Sequence, residues 1–291
     1  MINDKPEVGL NFPDAQPEIA MAPNPDNPPW GVPHAVVVWV ISVVLLLFVP
    51  LLTIAPYVIY RIATKSPIDN PVSDPNLIFV SIIGVFPTHV LSALVVWFVV
   101  TSRGRRPFWQ TLGWTWPRSL APPLGPLLIG FLAIALFGIG YIITSLVGGS
   151  ETQLDLIIRS SYKARFATAF LAAVTGPLVE ELIYRGVLYP ALQRAFGALW
   201  AVVAVSALFT GVHVFQYYNN LGVIAVIALL SIALTLLRAA TGTLLPSYVM
   251  HLVFNGIQAL FLVVQPFVNI DGSAPEAAPG FWIARLFRLL T

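Results

Sequence analysis

The sequence predicts an all-α fold: a polytopic helical integral membrane protein with about seven to eight transmembrane helices. Of its 291 residues, 57% are apolar and only 10% are charged, whereas a soluble domain carries about 25% charged residues. The apolar residues form continuous runs rather than the alternating pattern of a transmembrane β-barrel strand. We therefore expect a multi-pass protein of the plasma membrane.

The apolar runs locate the helices in order along the chain. A helix needs about 20 residues to cross the hydrocarbon core of a bilayer. On this rule the sequence predicts helices over residues 34–60, 77–100, 124–147, 166–190, 198–216, 221–239 and 243–267. Pro50, Pro56 and Pro87 lie within the first two and predict kinks there. His89, beside Pro87, is interpreted as a satisfied polar group of the second helix or as a neighbour of its kink.

The segments outside these helices divide the chain into four parts. Residues 1–31 are polar and rich in Pro, Asn and Asp, which predicts a disordered N-terminal tail. Residues 32–123 hold the first membrane helices and a basic loop, and residues 124–268 form the main membrane core. Residues 269–291 read as a Gly/Pro/Ala-rich linker followed by a short amphipathic helix at the membrane surface.

Composition excludes several classes of function. The chain contains no cysteine, so it has no disulfide, thiol nucleophile, iron–sulfur ligation or cysteine-based zinc site. Its formal net charge is only +2, and nucleic-acid binding needs a concentrated basic face. Nucleic acid is therefore not an expected partner.

Two adjacent carboxylates, Glu180 and Glu181, lie within the fourth predicted helix. They are the only acidic residues between Asp155 and Asp271. A charge near the bilayer centre costs at least ~2.5 kcal/mol, so such residues face the protein interior and usually serve function. Arg185 lies four residues after Glu181, on the same helix face, where the two can pair. That pairing leaves Glu180, rotated by about 100°, to face a different neighbour.

Three short patterns on the later helices carry the remaining reactive side chains. They are Glu180-Glu181-Leu182-Ile183-Tyr184-Arg185-Gly186, Phe209-Thr210-Gly211-Val212-His213 and His251-Leu252-Val253-Phe254-Asn255. The first and last residues of the second and third patterns are four apart, and so share a helix face. Three helices can therefore present one set of side chains to a common cavity: Glu180, His213, His251 and Asn255.

These group types fit amide hydrolysis by an activated water. A carboxylate beside an imidazole can hold a water and remove its proton, which is general-base catalysis. Desolvation strengthens Glu180 as a base, whereas Arg185 opposes that effect. An imidazole N–H and an Asn amide could bind the oxyanion that forms when water attacks a carbonyl. The sequence shows neither a Ser–His or Cys–His nucleophile pattern nor a His-Glu-x-x-His zinc helix.

The three patterns, in this order on successive membrane helices, resemble the CPBP intramembrane proteases. This family includes the type II CAAX prenyl endopeptidases and the abortive-infection-like bacteriocin-processing or immunity proteins. The resemblance covers roughly residues 124–268, and implies that this part is a catalytic membrane core. It implies that Glu180 activates water with help from His213. It also implies that His251 and Asn255 form the oxyanion site. In a supporting role it places Glu181, Arg185 and Phe209.

Other functions remain open from the sequence. Glu180 could carry protons in a transporter, or the chain could be an immunity or scaffold protein that uses the fold without catalysis. The His patterns favour hydrolysis over transport. A zinc-dependent protease is a closer variant, since two His and one Glu could ligate zinc, but we expect no metal cofactor. The expected partners are membrane lipid and a peptide or protein substrate. One branch of the family that the chain resembles implies a prenylated substrate.

Overall fold

The structure, a computed structural model, describes residues 24–66, 68–71, 73–150 and 152–264. Within these ranges the regular secondary structure is entirely helical. The α-helices are α1 (Val32–Ala63), α2 (Pro75–Ile83), α3 (Val85–Val100), α4 (Phe108–Thr111), α5 (Leu124–Val147), α6 (Gln153–Ser160), α7 (Tyr162–Phe170), α8 (Gly176–Glu181), α9 (Tyr189–Phe196), α10 (Ala198–Tyr217), α11 (Leu221–Thr241) and α12 (Leu245–Val264). One 3₁₀ turn and two π-helical turns complete them, over Arg118–Leu120, Leu171–Thr175 and Leu182–Leu188.

In the described part of the chain, seven helical stretches are long and apolar enough to cross a membrane. They are, from first to seventh span, Val32–Ala63, Pro75–Val100, Leu124–Val147, Tyr162–Phe196, Ala198–Tyr217, Leu221–Thr241 and Leu245–Val264. The predicted all-α membrane fold is confirmed, and each span matches a predicted helix. The predicted linker and amphipathic helix over residues 269–291 lie outside the described residues.

The outer surface of the bundle is apolar. Large side chains on the first and third spans are well exposed, among them Leu52, Leu127 and Leu146. A soluble monomer rarely exposes apolar patches larger than a few hundred Å². These faces therefore contact lipid, and the hydrophobic effect that inserts the spans acts on them rather than on the interior alone.

The second span is broken where it crosses the first span. The span is divided at Gly84 into α2 and α3, while α1 continues through both of its prolines. A side chain at Gly84 would overlap Thr53 Oγ1 and lie 2.9 Å from Pro50 Cα. Only glycine allows the two backbones to approach so closely. Pro87, three residues after Gly84, lacks the N–H that would bond to Ile83 O, so the break lies where this proline predicts it.

The buried apolar residues form two main clusters. One packs the first two spans against the fourth and fifth, and includes Val38, Val96 and Val205. The other packs α5 against α11 and α12, and includes Ile129 and Leu234. The fourth span belongs to the first cluster, so its polar side chains lie where they can reach across to the second.

Residues 24–31, which precede the first span, are packed against the bundle, and the predicted disordered tail is therefore wrong for these residues. Trp30 is buried, and its indole N–H donates a hydrogen bond to Val187 O at 3.1 Å. Asp26 pairs with the buried Arg238 at 2.7 Å. We call residues 24–31 the N-terminal strap. The remainder of the predicted tail, residues 1–23, lies outside the described residues.

Composition alone does not distinguish this strap from a disordered tail, because the partners that hold it are far along the chain. Arg194 donates to the main-chain oxygens of Pro28 and Trp30 at 2.6 and 2.9 Å. The guanidinium of Arg238 also lies over the ring of Tyr189. The strap is thereby tied to the ends of the fourth and sixth spans.

Candidate active site

Two π-helical turns shape the fourth span on either side of the glutamates. Each ends two residues before a proline, at Leu171–Thr175 before Pro177 and at Leu182–Leu188 before Pro190. Proline lacks an N–H group and clashes with the carbonyl four residues earlier in an α-helix. In both turns the residue before the proline donates its N–H to the carbonyl five residues back. The wider turn removes the clash, and such turns are frequent at functional sites.

The first π turn frees a backbone carbonyl that then orients a candidate catalytic side chain. Gly176 N–H donates to Leu171 O, so it is not available to Ala172 O, and Pro177 has no N–H to offer in its place. Asn255 Nδ2 fills the vacancy, donating to Ala172 O at 2.9 Å. One amide hydrogen of Asn255 thus fixes the orientation of the side chain, and the other is available to a ligand in the cavity.

Glu181 and Arg185 form the ion pair that their spacing predicts. Arg185 Nη1 donates to Glu181 Oε1 at 3.0 Å, and both side chains are fully buried. Arg185 also donates to the hydroxyl and main-chain oxygen of Ser231 and to the hydroxyl of Thr235. Each further acceptor that a buried guanidinium finds offsets part of the cost of burying its charge. The pair therefore joins the fourth span to α11.

His251 lies between the two glutamates. Its Nδ1 is 3.0 Å from Glu181 Oε1, and because a carboxylate only accepts, Nδ1 carries the proton. Its other nitrogen, Nε2, is 3.6 Å from Glu180 Oε2. The sequence predicts separate neighbours for the two glutamates; the structure instead links both of them to one imidazole. Glu181 orients the ring, and the partly exposed Glu180 faces its free edge.

His213 is oriented by its own helix. Its Nδ1 lies 2.8 Å from Phe209 O, so Nδ1 donates and Nε2 keeps its lone pair in the neutral form. The Phe209 ring packs against His213 at 4.8 Å and meets His251 edge-on at 6.1 Å. The guanidinium of Arg185 lies 4.8 Å from the centre of the same ring. Phe209 thus holds both imidazoles and the cation in one packed group.

The four candidate catalytic residues line one cavity of about 580 Å³. Its wall is mostly apolar and is drawn from six of the seven spans and from α6. Glu180 is 29% exposed, whereas Glu181 is not exposed at all. Only Glu180 of the two can therefore meet water or a ligand inside this cavity.

Among the lining residues that were not predicted from the sequence as site residues are Tyr184 and His89. Tyr184 is four residues after Glu180 and so shares its helix face, a spacing that could have identified it. Its hydroxyl accepts a hydrogen bond from Trp39 Nε1 at 3.1 Å. His89 reaches the cavity from the second span, and its Nδ1 is 2.8 Å from Thr175 Oγ1. No short pattern surrounds His89, so only the structure assigns it to the site.

A comparison with protein families matches the part of the chain that holds all three patterns. Residues 163–257 match the family described as Type II CAAX prenyl endopeptidase Rce1-like. The segment resembles the CAAX proteases. The resemblance to CPBP proteases predicted from the patterns is thereby confirmed. The first three spans lie outside the match, and neither the curated proteins nor the solved structures yield a significant match to the chain.

This CAAX-protease-like segment supports intramembrane endopeptidase activity in general. With seven apolar spans, the protein is an integral, multi-pass membrane protein. The seven site residues predicted from the sequence all lie between residues 163 and 257.

A catalytic zinc site takes three protein ligands and keeps a fourth position open. Among the described residues, no three His, Asp or Glu side chains are grouped as metal ligands. Glu181 Oε1 and His251 Nδ1 are moreover hydrogen-bonded to each other.

Proposed function

We propose that this protein is an intramembrane endopeptidase that hydrolyses a peptide bond in a membrane-associated or lipidated peptide or protein. The observation that carries the proposal is the pair formed by Glu180 Oε2 and His251 Nε2, 3.6 Å apart at the wall of the cavity. The CAAX-protease match over the same residues supports it independently. The same match favours a prenylated substrate as the first to test.

In this mechanism Glu180 is the general base. It takes a proton from a cavity water while the water oxygen attacks the scissile carbonyl carbon. The tetrahedral intermediate then collapses, the carbon–nitrogen bond breaks, and Glu180 returns the proton to the leaving amine. His213 assists by accepting a hydrogen bond from the water at Nε2, the nitrogen that Phe209 leaves free. No other co-reactant is needed.

His251 and Asn255 stabilise the oxyanion. Asn255 offers its second amide hydrogen, since the first is held by Ala172 O. A neutral His251 that donates from Nδ1 has no proton on Nε2, so it donates to the oxyanion as an imidazolium with Glu181 as counter-charge. Loss of one oxyanion donor costs about 10²–10³ in kcat. Glu181 acts through His251 rather than on the substrate.

The decisive experiment compares wild type with Glu180→Gln in proteoliposomes. The probes are a quenched fluorescent peptide that ends in an S-farnesylated CAAX sequence and the same peptide without the prenyl group. We expect cleavage by wild type and none by Glu180→Gln, with equal thermal stability of the two proteins. Comparative proteomics of membrane protein termini in cells with each version extends the search to native substrates. Unchanged turnover in Glu180→Gln would refute the mechanism.

A partly exposed carboxylate in a membrane cavity also fits a proton-coupled transporter. A transporter would show substrate flux that depends on a proton gradient and on Glu180, without peptide cleavage. An immunity or scaffold protein would keep its phenotype in Glu180→Ala. We further propose that hydrolysis needs no metal, which metal analysis of the purified protein and insensitivity to chelators would test.

A further inference from the structure

We propose that His89 is a substrate-binding residue of the same cavity, oriented by Thr175 so that its Nε2 hydrogen-bonds the peptide backbone of the substrate. The inference rests on the proposed function. It concerns the second span, which lies outside the segment that resembles the CAAX proteases.

The contacts of His89 leave one ring nitrogen for a ligand. Nδ1 is bonded to Thr175 Oγ1 at 2.8 Å, and the ring lines the cavity. Nε2 has no hydrogen-bond partner in the described part of the chain. Glu180 lines the same cavity. His89 therefore presents an uncommitted polar atom in the neighbourhood of the proposed base.

Two hydroxyl groups that line the cavity from the first two spans behave differently. Ser42 donates to Val38 O and Thr88 donates to Gly84 O, four residues back in each case. These hydroxyls are satisfied within their own spans. His89 instead reaches across to the fourth span and keeps half of its ring unpaired. An ionisable side chain at membrane depth is costly and usually functional, and a simple tie between helices does not require one.

The partner of His89 belongs to the π turn that also orients the proposed oxyanion donor. Thr175 ends this turn, and Ala172 within it accepts the hydrogen bond from Asn255. Side chains from the second and seventh spans are thus positioned by one turn, and Glu180 follows it on the same span. This common support keeps His89, Asn255 and the base in a constant relation to one another.

The apolar wall of the cavity explains what His89 would bind. A peptide group that enters such a wall without hydrogen bonds loses several kcal/mol of hydration. An imidazole nitrogen can accept from a peptide N–H in one tautomer and donate to a peptide carbonyl in the other. The geometry therefore assigns His89 to a backbone group of the bound chain, independent of the side chains of the substrate.

Two isosteric substitutions separate substrate binding from a structural tie. In His89→Asn, the side-chain amide takes the position of Nδ1 and keeps the hydrogen bond to Thr175. No atom then takes the position of Nε2 in the cavity. In His89→Gln, the side-chain amide takes the position of Nε2 and keeps a polar group in the cavity. The hydrogen bond to Thr175 is then lost. With the farnesylated probe, we expect His89→Asn to raise KM about five- to tenfold with little change in kcat. His89→Gln should raise KM less than His89→Asn does, because it keeps a polar atom in the cavity and loses only the orienting bond to Thr175.

A structural role predicts the reverse order, with His89→Asn close to wild type, and that result would overturn the inference. Thr175→Val should raise KM, and Thr175→Ser should restore it. Trp30→Phe is a matched control, because it removes another hydrogen bond to the fourth span, at Val187 O and away from the cavity.

Failure of the proposed function gives a different pattern. It would appear as no cleavage by wild type, or as cleavage that survives in Glu180→Gln. Failure of the present inference alone would leave cleavage dependent on Glu180 while both His89 variants keep the wild-type KM. Binding of the intact farnesylated probe to Glu180→Gln protein, with and without His89→Asn, measures the same contact without turnover. Equal affinity in the two proteins would also overturn it.

Discussion

Replacing Glu181 by Ala should destabilise the protein, whereas the same change at the adjacent Glu180 should not. Glu181 Oε1 accepts from both Arg185 Nη1 and His251 Nδ1 at 3.0 Å, with all three side chains buried. Glu180 has only a 3.6 Å ion-pair contact and is partly exposed. The two carboxylates look alike in the sequence but have different surroundings.

The structure sets the size of this difference. Removing one partner of a buried ion pair typically costs 3–5 kcal/mol. Arg185 keeps its hydrogen bonds to Ser231 and Thr235, which places Glu181→Ala near the lower limit, about 3 kcal/mol. An ion pair with access to solvent contributes about 0–1 kcal/mol, which is the expected cost of Glu180→Ala. The two variants should therefore differ by about 2 kcal/mol or more.

The measurement is denaturant-induced unfolding in detergent micelles, followed by tryptophan fluorescence, since the chain has eight tryptophans. The double variant Glu181→Gln with Arg185→Met removes both charges. It should recover much of the stability lost in Glu181→Ala, because no uncompensated charge stays buried. It should not recover cleavage, because His251 loses the carboxylate that orients it.

Equal losses of stability in Glu181→Ala and Glu180→Ala would refute this reasoning. A double variant that is less stable than Glu181→Gln alone and than Arg185→Met alone would also refute it. In the first case the buried ion pair contributes no more to the free energy of unfolding than an ion pair with access to solvent. In the second case the hydrogen bonds of Arg185 to α11 matter more than the balance of charge.

Two further predictions concern other parts of the fold. Pro177→Ala supplies an N–H that lets the first π turn regain α-helical geometry, so Ala172 O gains a partner within the helix and releases Asn255. We expect cleavage of the farnesylated probe to fall at least about tenfold at unchanged thermal stability, and unchanged kcat would contradict this. At Asp74, the N–H of Leu77 holds the pKa of the carboxyl below its ordinary value of 3.8. The folded-state pKa is depressed, so this stabilisation is present above pH 3.8 and is lost as the pH falls through the folded-state value. Asp74→Ala should cost about 0.5–2 kcal/mol as a lost helix cap and flatten the acid limb of a stability–pH profile; an unchanged profile would exclude the cap.

Apolar run length was enough to predict the spans, because a bilayer imposes a minimum length on each helix. The pairing of Glu181 with Arg185 was also predictable, since it depends only on spacing within one helix. What spacing could not reveal is which neighbour approaches each face. The link from His251 to both glutamates depends on how α12 packs against α8, which is a property of the whole bundle.

The π turns were missed for a different reason. A helical hydrophobic pattern changes little when one turn widens by one residue, so periodicity does not register the change. Pro177 and Pro190 were the available signal, since each removes a hydrogen bond within an otherwise continuous span. The N-terminal strap was missed because its composition matches that of disordered segments, while the arginines that hold it lie on the fourth and sixth spans.

The strap also orders the assembly of the protein in time. The chain is made from the N-terminus, and Asp26 precedes Arg238 by 212 residues. The strap therefore has no complete docking surface until the sixth span has been synthesised and inserted. Contacts of such long sequence separation form late, because their loop-closure entropy must be overcome first. Docking of the strap is thus a final step of biogenesis, and protease resistance of residues 24–31 would report that the bundle has closed.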